Sequence, residues 1–345
     1  MGVKPNFKAG QVTRSLLTSL PERARDVIER RYGLAGKTGE PMTLEAIGEI
    51  YNITRERVRQ IENFAMETIR KSDEYNKATP VFEELEDYLT GHGGLAKEEI
   101  ILNELGKDQV TKNQIAFMLE LGDSFVRLKE DDNFHHRWTL DEDEAEKVHS
   151  ALTALHEGLN KDDLIAEAEM IERFAEHLKA DLEKYVSEEQ ARKWLELSKN
   201  IGANVLGEWG LADSPSIRTR GIRDYSYLVL RKHGKPLHFT EVAEQIEKWF
   251  GKSAHKATTH NELIKDDRFV LVGRGLYALS EWGYTNGVVR DVIKSILKEK
   301  NALSKEDLIK EVLKQRQVKE NTIYVNLQNP RYFRKDVKGK YSLVG

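Results

Sequence analysis

No cysteine occurs among the 345 residues. Structural disulfides are therefore excluded, and so are zinc sites that need thiolates. Proline is scarce, with 7 in the chain, and no Gly/Ser-rich or Pro-rich tether stands out. Joins between folded pieces are expected to be short. No apolar run approaches the ~18 residues of a membrane span. The opening stretch MGVKPNFKAGQVTR lacks the apolar centre of a secretory signal. The simplest expectation is a soluble, cytoplasmic protein in a reducing compartment. Length argues for two or three domains, and 32% charged against 39% hydrophobic residues argues for helices.

What is present is unevenly charged. The net charge of −4 conceals +3 over residues 1–78, −16 over 79–220 and +9 over 221–345. Basic segments attract phosphate backbones. The acidic middle should be repelled by them and suits a spacer or a protein contact.

The most informative stretch is TLEAIGEIYNITRERVRQIENFAMETIR, residues 43–70. Thr43 and Thr54 each stand where a helix should begin, and a Thr oxygen there accepts an otherwise orphaned N–H. Met42 with Ile47, and Ile53 with Val58, have the spacing of a hydrophobic staple. Asn52 falls at the turn, where left-handed backbone is wanted and Asn is tolerated. The pattern predicts helix, tight turn, helix.

The second helix sorts by its 3.6-residue period. Val58, Ile61, Ala65 and Ile69 should pack inward. Glu56, Arg59, Gln60, Asn63 and Arg70 should face out, flanked by Arg55 and Arg57. Arg bonds guanine in a bidentate way, Gln or Asn does so to adenine, and Glu accepts from cytosine. In a helix-turn-helix the start of the second helix meets base edges. The residues assigned to DNA are therefore Thr54, Arg55, Glu56, Arg57, Arg59, Gln60 and Asn63.

Behind this module the chain repeats itself. Leu263, Phe269, Gly275, Tyr277 and Leu279 recur 64 positions later as Leu327, Phe333, Gly339, Tyr341 and Leu343. They recur 68 positions earlier as Leu195, Ile201, Gly207, Trp209 and Leu211. A looser copy is Leu119, Phe125, Trp138 and Leu140, and Thr258 corresponds to Thr322. Each copy reads as a winged helix: a helix ending near the Leu, a strand holding Phe or Ile, a Gly turn, then a second strand. Two amphipathic helices precede each strand pair. In the last copy they span 288–300 and 304–314, with Ser304 and Asp307 as a capping box and Leu303 with Leu308 as its staple. The expected fold is mainly α with small β wings. Its modules are a helix-turn-helix at 1–78 and winged-helix units at 79–140, 141–220, 221–285 and 286–345. The second unit is the most helical, and its segment 159–185 fits one long helix or two. The runs 141–144 and 213–219 read as short joins.

SLPERARDVIERRYGL (19–34) followed by MTLEAIGEIYNITRERVRQIENFAMETIRK (42–71) resembles region four of the bacterial housekeeping sigma factor, which reads the −35 promoter element. LPERAR, RYGL, TLEAIG and RERVRQIE occur in order with the family spacing. The resemblance implies that Arg55, Glu56, Arg59 and Gln60 contact bases and that Thr54 and Arg57 sit near the DNA backbone. It also implies that the face around the first helices touches the flap of RNA polymerase. The family's segments that bind the −10 element and melt DNA have no counterpart in this sequence, so promoter opening by this chain alone is not expected. Residues 224–282 resemble a HARE-type winged helix, as in the delta subunit of bacterial RNA polymerase, through GKPLHFTEVA, the helix around 259–263 and GRGLYAL. That resemblance implies association with DNA or polymerase.

Candidate secondary DNA contacts are Lys252, His255, Lys256 and Thr259 on the third unit's last helix, Arg274 in its wing, and Lys338 and Lys340 in the final wing. His260 and Asn261 join that helix's polar set. Gly36-Lys37-Thr38 imitates a phosphate loop, but Arg31 stands where its first glycine belongs. His135 with His136, and His255 with His260, are not spaced to share a helix face. No metal site, cofactor or catalytic constellation is expected.

The leading expectation is a bacterial DNA-binding transcription regulator whose partner is double-stranded DNA. The alternative is an RNA polymerase accessory protein acting through protein contacts. An enzyme such as a nuclease rests only on the HARE association.

Overall fold

Five helices build the N-terminal module: α1 (Ala9–Leu17), α2 (Glu22–Tyr32), α3 (Leu44–Tyr51), α4 (Arg55–Arg70) and α5 (Asp73–Lys77). The computed structural model describes residues 5–34, 36, 38–179, 182, 186–284, 288–316 and 318–344. Lys37 of the phosphate-loop imitation lies outside the described residues. Thr43 accepts the Ala46 N–H at 3.1 Å and Thr54 accepts that of Arg57 at 3.2 Å. Each such cap is worth about 1 kcal/mol. Asn52 holds φ 52°, ψ 46° and ends α3. Val27, Ile47 and Val58 are fully buried between α2, α3 and α4, and both staple pairs pack around them.

Each of the next four segments runs helix, short strand, helix, helix, strand, strand. The first is α6 (Thr79–Thr90), β1 (Leu95–Lys97), α7 (Glu98–Leu105), α8 (Gln109–Leu121), β2 (Val126–Leu128) and β3 (Arg137–Thr139). The second is α9 (Glu142–Glu157), β4 (Ile165–Ala166), α10 (Glu167–Lys179), α11 (Glu188–Leu195), β5 (Ile201–Ala203) and β6 (Glu208–Leu211). The third is α12 (Ile222–His233), β7 (Leu237–His238), α13 (Phe239–Phe250), α14 (Lys256–Lys265), β8 (Phe269–Gly273) and β9 (Leu276–Leu279). The fourth is α15 (Val289–Lys300), β10 (Ala302–Leu303), α16 (Lys305–Gln315), α17 (Glu320–Leu327), β11 (Phe333–Lys335) and β12 (Tyr341–Leu343). The chain is thus mainly helical with small antiparallel sheets. By packing it forms two compact bodies, residues 1–203 with 208–212, and residues 204–207 with 213–345.

The repeat read from the sequence is a repeat of strand register. Ile201 pairs with Leu211, Phe269 with Leu279, and Phe333 with Leu343. Gly207, Gly275 and Gly339 hold φ of 79°, 71° and 83°, which a β-carbon would disfavour. Four strands escaped the sequence reading: β1, β4, β7 and β10. Each is two or three residues long, too short to show alternation, and each completes a sheet in the order first, third, second. They lie across the recurring aromatics of the repeat: Ala96 opposite Trp138, Ile165 opposite Trp209, Leu237 opposite Tyr277, and Leu303 opposite Tyr341.

Three local expectations change. The run 141–144 is the start of α9: Asp141 accepts the N–H groups of Asp143 and Glu144. Its carboxylates sit where the helix dipole favours negative charge. Segment 159–185 contains one helix among its described residues, α10, entered through β4. At α16, Ser304 accepts the Asp307 N–H at 3.1 Å as expected, but the Asp307 carboxylate takes the Ser304 hydroxyl at 2.7 Å in place of the cap's backbone N–H.

Two of the four third helices pack against neighbouring modules. On α8, Ile115, Phe117, Met118, Leu119 and Leu121 share one core with Leu16, Leu17, Leu20, Ile28, Met66 and Ile69 of the N-terminal module. Asn113 of α8 donates to the carbonyls of Gly33 and Gly39 at 3.0 and 2.6 Å. On α11, the fully buried Trp194 donates to Leu95 O at 3.1 Å, reaching into the first unit's β1. The long insertion before β3 adds a second bracket. The N–H of His135 meets Leu197 O, Asn133 O accepts from Lys199, and the Lys199 ammonium meets Glu130 at 2.9 Å. Arg137, buried behind it, donates to His149 Nε2 on α9 at 2.8 Å. Burial and this guanidinium push the His149 pKa down to about 4.

Candidate nucleic-acid interface

The face of α4 opposite its buried side is open. Thr54, Arg55, Glu56, Arg57, Arg59, Gln60 and Asn63 are all exposed, while Val58, Ala65, Met66 and Ile69 are buried. The helix-turn-helix geometry collects these side chains at one helix start. Capping by Thr54 fixes where the helix begins, and the Asn52 turn fixes its angle to α3.

The polar side chains partner one another. Arg59 Nε donates to Glu56 Oε2 at 2.9 Å and its terminal nitrogen to Oε1 at 2.7 Å. Arg57 donates to Gln60 Oε1 at 2.9 Å. The hydrogen bond from Arg59 holds the Glu56 carboxyl below the usual carboxylate range. Each donor fork is thereby oriented before any ligand arrives, at an exposed site where exchanging a partner is easy.

Arg70 behaves differently from its expected place on the outward stripe. It donates to Leu121 O and Glu120 O, both at 3.0 Å, and meets Asp123 at 3.3 Å. It is the strap between α4 and α8 and is withdrawn as an outward residue. No local signal marks this, because its partners lie 50 and 51 residues away.

Support from behind is dense. Asp26 on α2 accepts from Arg30 at 2.6 Å and from the Tyr51 hydroxyl of α3. Burial opposes its charge, yet these two bonds hold its carboxyl below the ordinary value. Gly48 of α3 lies so close to the turn that a β-carbon there would stand 2.6 Å from Ile53 O. Gly48→Ala is expected to cost about 1–3 kcal/mol through this overpacking and to weaken duplex binding by splaying α3 from α4. Thermal unfolding alongside a binding titration would check it; an unchanged melting temperature would count against the tight crossing.

In the third unit the secondary residues divide. Lys252, His255, Lys256 and Arg274 are exposed. Lys256 is held 3.0 Å from Glu244. Thr259 is fully buried and cannot reach a groove, so it is withdrawn as a DNA contact. The 64-residue offset contains the warning, since Thr259 corresponds to Ile323, which is also fully buried. His260 stacks on Phe239 at 4.4 Å, a packing role. Lys338 and Lys340 are exposed at the last wing.

Comparison with known proteins bears on these two regions. Residues 16–71 match the sigma-70 region 4 family. Residues 222–282 match the HARE-HTH family, a helix-turn-helix domain described for ASXL and restriction endonucleases. The region 4 module is 53% identical over 55 residues to RNA polymerase sigma factor SigA of Nostoc sp. (strain PCC 7120 / SAG 25.82 / UTEX 2576), covering 16% of this chain and 14% of that protein. It is 50% identical over 56 residues to the SigA proteins of Microcystis aeruginosa and of Synechocystis sp. (strain ATCC 27184 / PCC 6803 / Kazusa), covering 16% of this chain and 13% of each. The chain spans about one seventh of the length of these relatives. Region 4 and HARE-HTH are DNA-binding, transcription-related domain types, and neither is catalytic. No helix among the described residues is long and apolar enough to cross a membrane.

Proposed function

We propose that this protein is a cytoplasmic, sequence-specific DNA-binding transcription regulator that reads promoter-like duplex through α4. The observation that carries the reading is the open stripe of Arg55, Glu56, Arg59 and Gln60 at the start of a capped, braced helix. Arg there supplies paired donors for guanine, Gln supplies one donor and one acceptor for adenine, and Glu supplies an acceptor for cytosine. Thr54, Arg57 and Asn63 flank them as backbone and groove-edge contacts. The division into a region 4 module and four winged-helix units, at the boundaries 78, 140, 220 and 285, belongs to the same proposal. So do Lys252, His255, Lys256 and Arg274 as auxiliary phosphate contacts.

Selection of bound duplexes from random-sequence DNA tests the reading. Enrichment of one motif is expected, and recovery of unenriched sequence would sink it. A second reading, an RNA polymerase accessory protein, is favoured by the −16 charge of residues 79–220. A pull-down of polymerase that survives nuclease treatment, with no steep salt dependence of any DNA binding, would move the balance to it.

A further inference from the structure

The four winged-helix units differ in what their third helix and wing are free to do. In the first two, α8 and α11 are committed to packing, as Asn113, Phe117 and Trp194 show. In the third, Lys252 and Arg274 are exposed, while two other cations are compensated. Lys256 meets Glu244 at 3.0 Å, and Arg268 is shared between Asp224 and Asp266 at 3.0 and 2.7 Å. Residues 221–285 have a net charge of only +2.

The fourth unit, which neither matched family covers, is the exception. Residues 286–345 carry +7. Its ion pairs among the described residues lie on α15 and α16: Arg290 with Asp291, and Lys300 and Lys314 with Glu311. Lys319, Arg331, Arg334, Lys335, Lys338 and Lys340 are exposed around α17 and the hairpin, and among the described residues none of them forms an ion pair. The wing's one carboxylate, Asp336, is turned to building the turn: it accepts the N–H groups of Lys338 and Lys340 at 2.9 and 2.8 Å. Glu320 stands in the first turn of α17, where the positive end of the helix dipole offsets it. On α17 itself the exposed positions include Asn321, Thr322 and Val325, and Val337 at the wing tip is wholly exposed. That mixture offers short polar and methyl contacts for a groove, with cations at its margins for phosphates.

We infer that the fourth unit is a second duplex-DNA binding site, with α17 in a groove and the wing lysines on the flanking phosphates. It contributes sequence-independent affinity, and it stands apart from the reading of α4. Double-stranded DNA is the occupant because these cations form no ion pair among the described residues and no free aromatic platform lies beside them. Tyr324 and Tyr341 are each covered by a lysine, at 4.0 and 5.7 Å, and so present no free face for stacked bases.

The test uses the full chain and a short mixed-sequence duplex. One variant carries Lys319→Gln, Arg331→Gln, Lys338→Gln and Lys340→Gln. A charge-matched control carries Lys298→Gln, Lys300→Gln, Lys310→Gln and Lys314→Gln on α15 and α16. Binding is followed against salt. Each lost phosphate contact lowers the slope of log K on log salt by ~0.9, so the first variant should lose about 3 to 4 in slope on every sequence. The control should keep it. Motif preference, set by α4, should survive in both, which separates failure here from failure of the α4 reading. Equal loss in both variants, no loss in either, or single-stranded RNA outcompeting the duplex would each overturn the inference.

Discussion

Arg59→Ala is expected to bind the selected duplex about 10- to 100-fold more weakly than the parent, with the loss concentrated at one base pair. The guanidinium is exposed, so folding should be untouched. Its donors are already forked against Glu56 at 2.9 and 2.7 Å. In a groove the pair has two uses: the fork turns to guanine, or the pair moves together with Glu56 accepting from cytosine. Arg59→Lys separates charge from geometry, because an ammonium keeps the attraction but loses the planar fork. It should recover non-specific binding and leave preference relaxed at that position. Titration against every single-base variant of the selected site measures this directly. If Arg59→Ala loses affinity equally on all sequences, the residue touches phosphate, and base reading must be sought elsewhere on α4.

Trp194→Ala should destabilise the protein by about 3–5 kcal/mol, the range for removing a large aromatic from a packed interior. Trp194 has no exposed surface and lies in the second unit's core. Its indole also reaches the first unit, through the bond to Leu95 O and through Gly93, where a β-carbon would come within 2.5 Å of the ring. Truncation therefore opens a cavity and orphans a carbonyl at once. Trp194→Phe keeps most of the volume and loses the bond, and about 1–2 kcal/mol is expected for it. Denaturant unfolding, with proteolysis mapping cuts near residues 93–95, reads both effects. Parent-like stability in Trp194→Ala would mean that the two units are not fastened there.

The parts of this fold that were legible beforehand share a property: their partners are close in sequence. Thr43, Asn52 and Thr54 act on backbone groups within four residues. The strand pairing of Phe269 with Leu279 closes over a short turn marked by Gly275. The outward stripe of α4 follows from period alone. What could not be read depended on distance along the chain. The partners of Arg70 lie some 50 residues on, and those of Asn113 lie 74 and 80 residues back. Nothing near either residue distinguishes a strap or an anchor from an ordinary polar side chain. Thr259 is a different kind of miss. Its own polarity pointed outward, while the repeat, taken strictly, placed it opposite an isoleucine.

The amino-acid order alone determined the capped helix-turn-helix, the direction its polar stripe faces, the fourfold recurrence of a winged unit, and where charge of each sign accumulates. These follow from periodicity and capping, which act within a turn or two of helix. Only the tertiary structure decided which third helices remain available. α11 has an ordinary amphipathic sequence and α8 a nearly continuous apolar run, residues 115–121, but the neighbours they bury against lie remote in the chain. Availability for DNA is therefore a property of packing: α4 and α17 each bury one face and leave the other open, whereas α8 is covered on most sides.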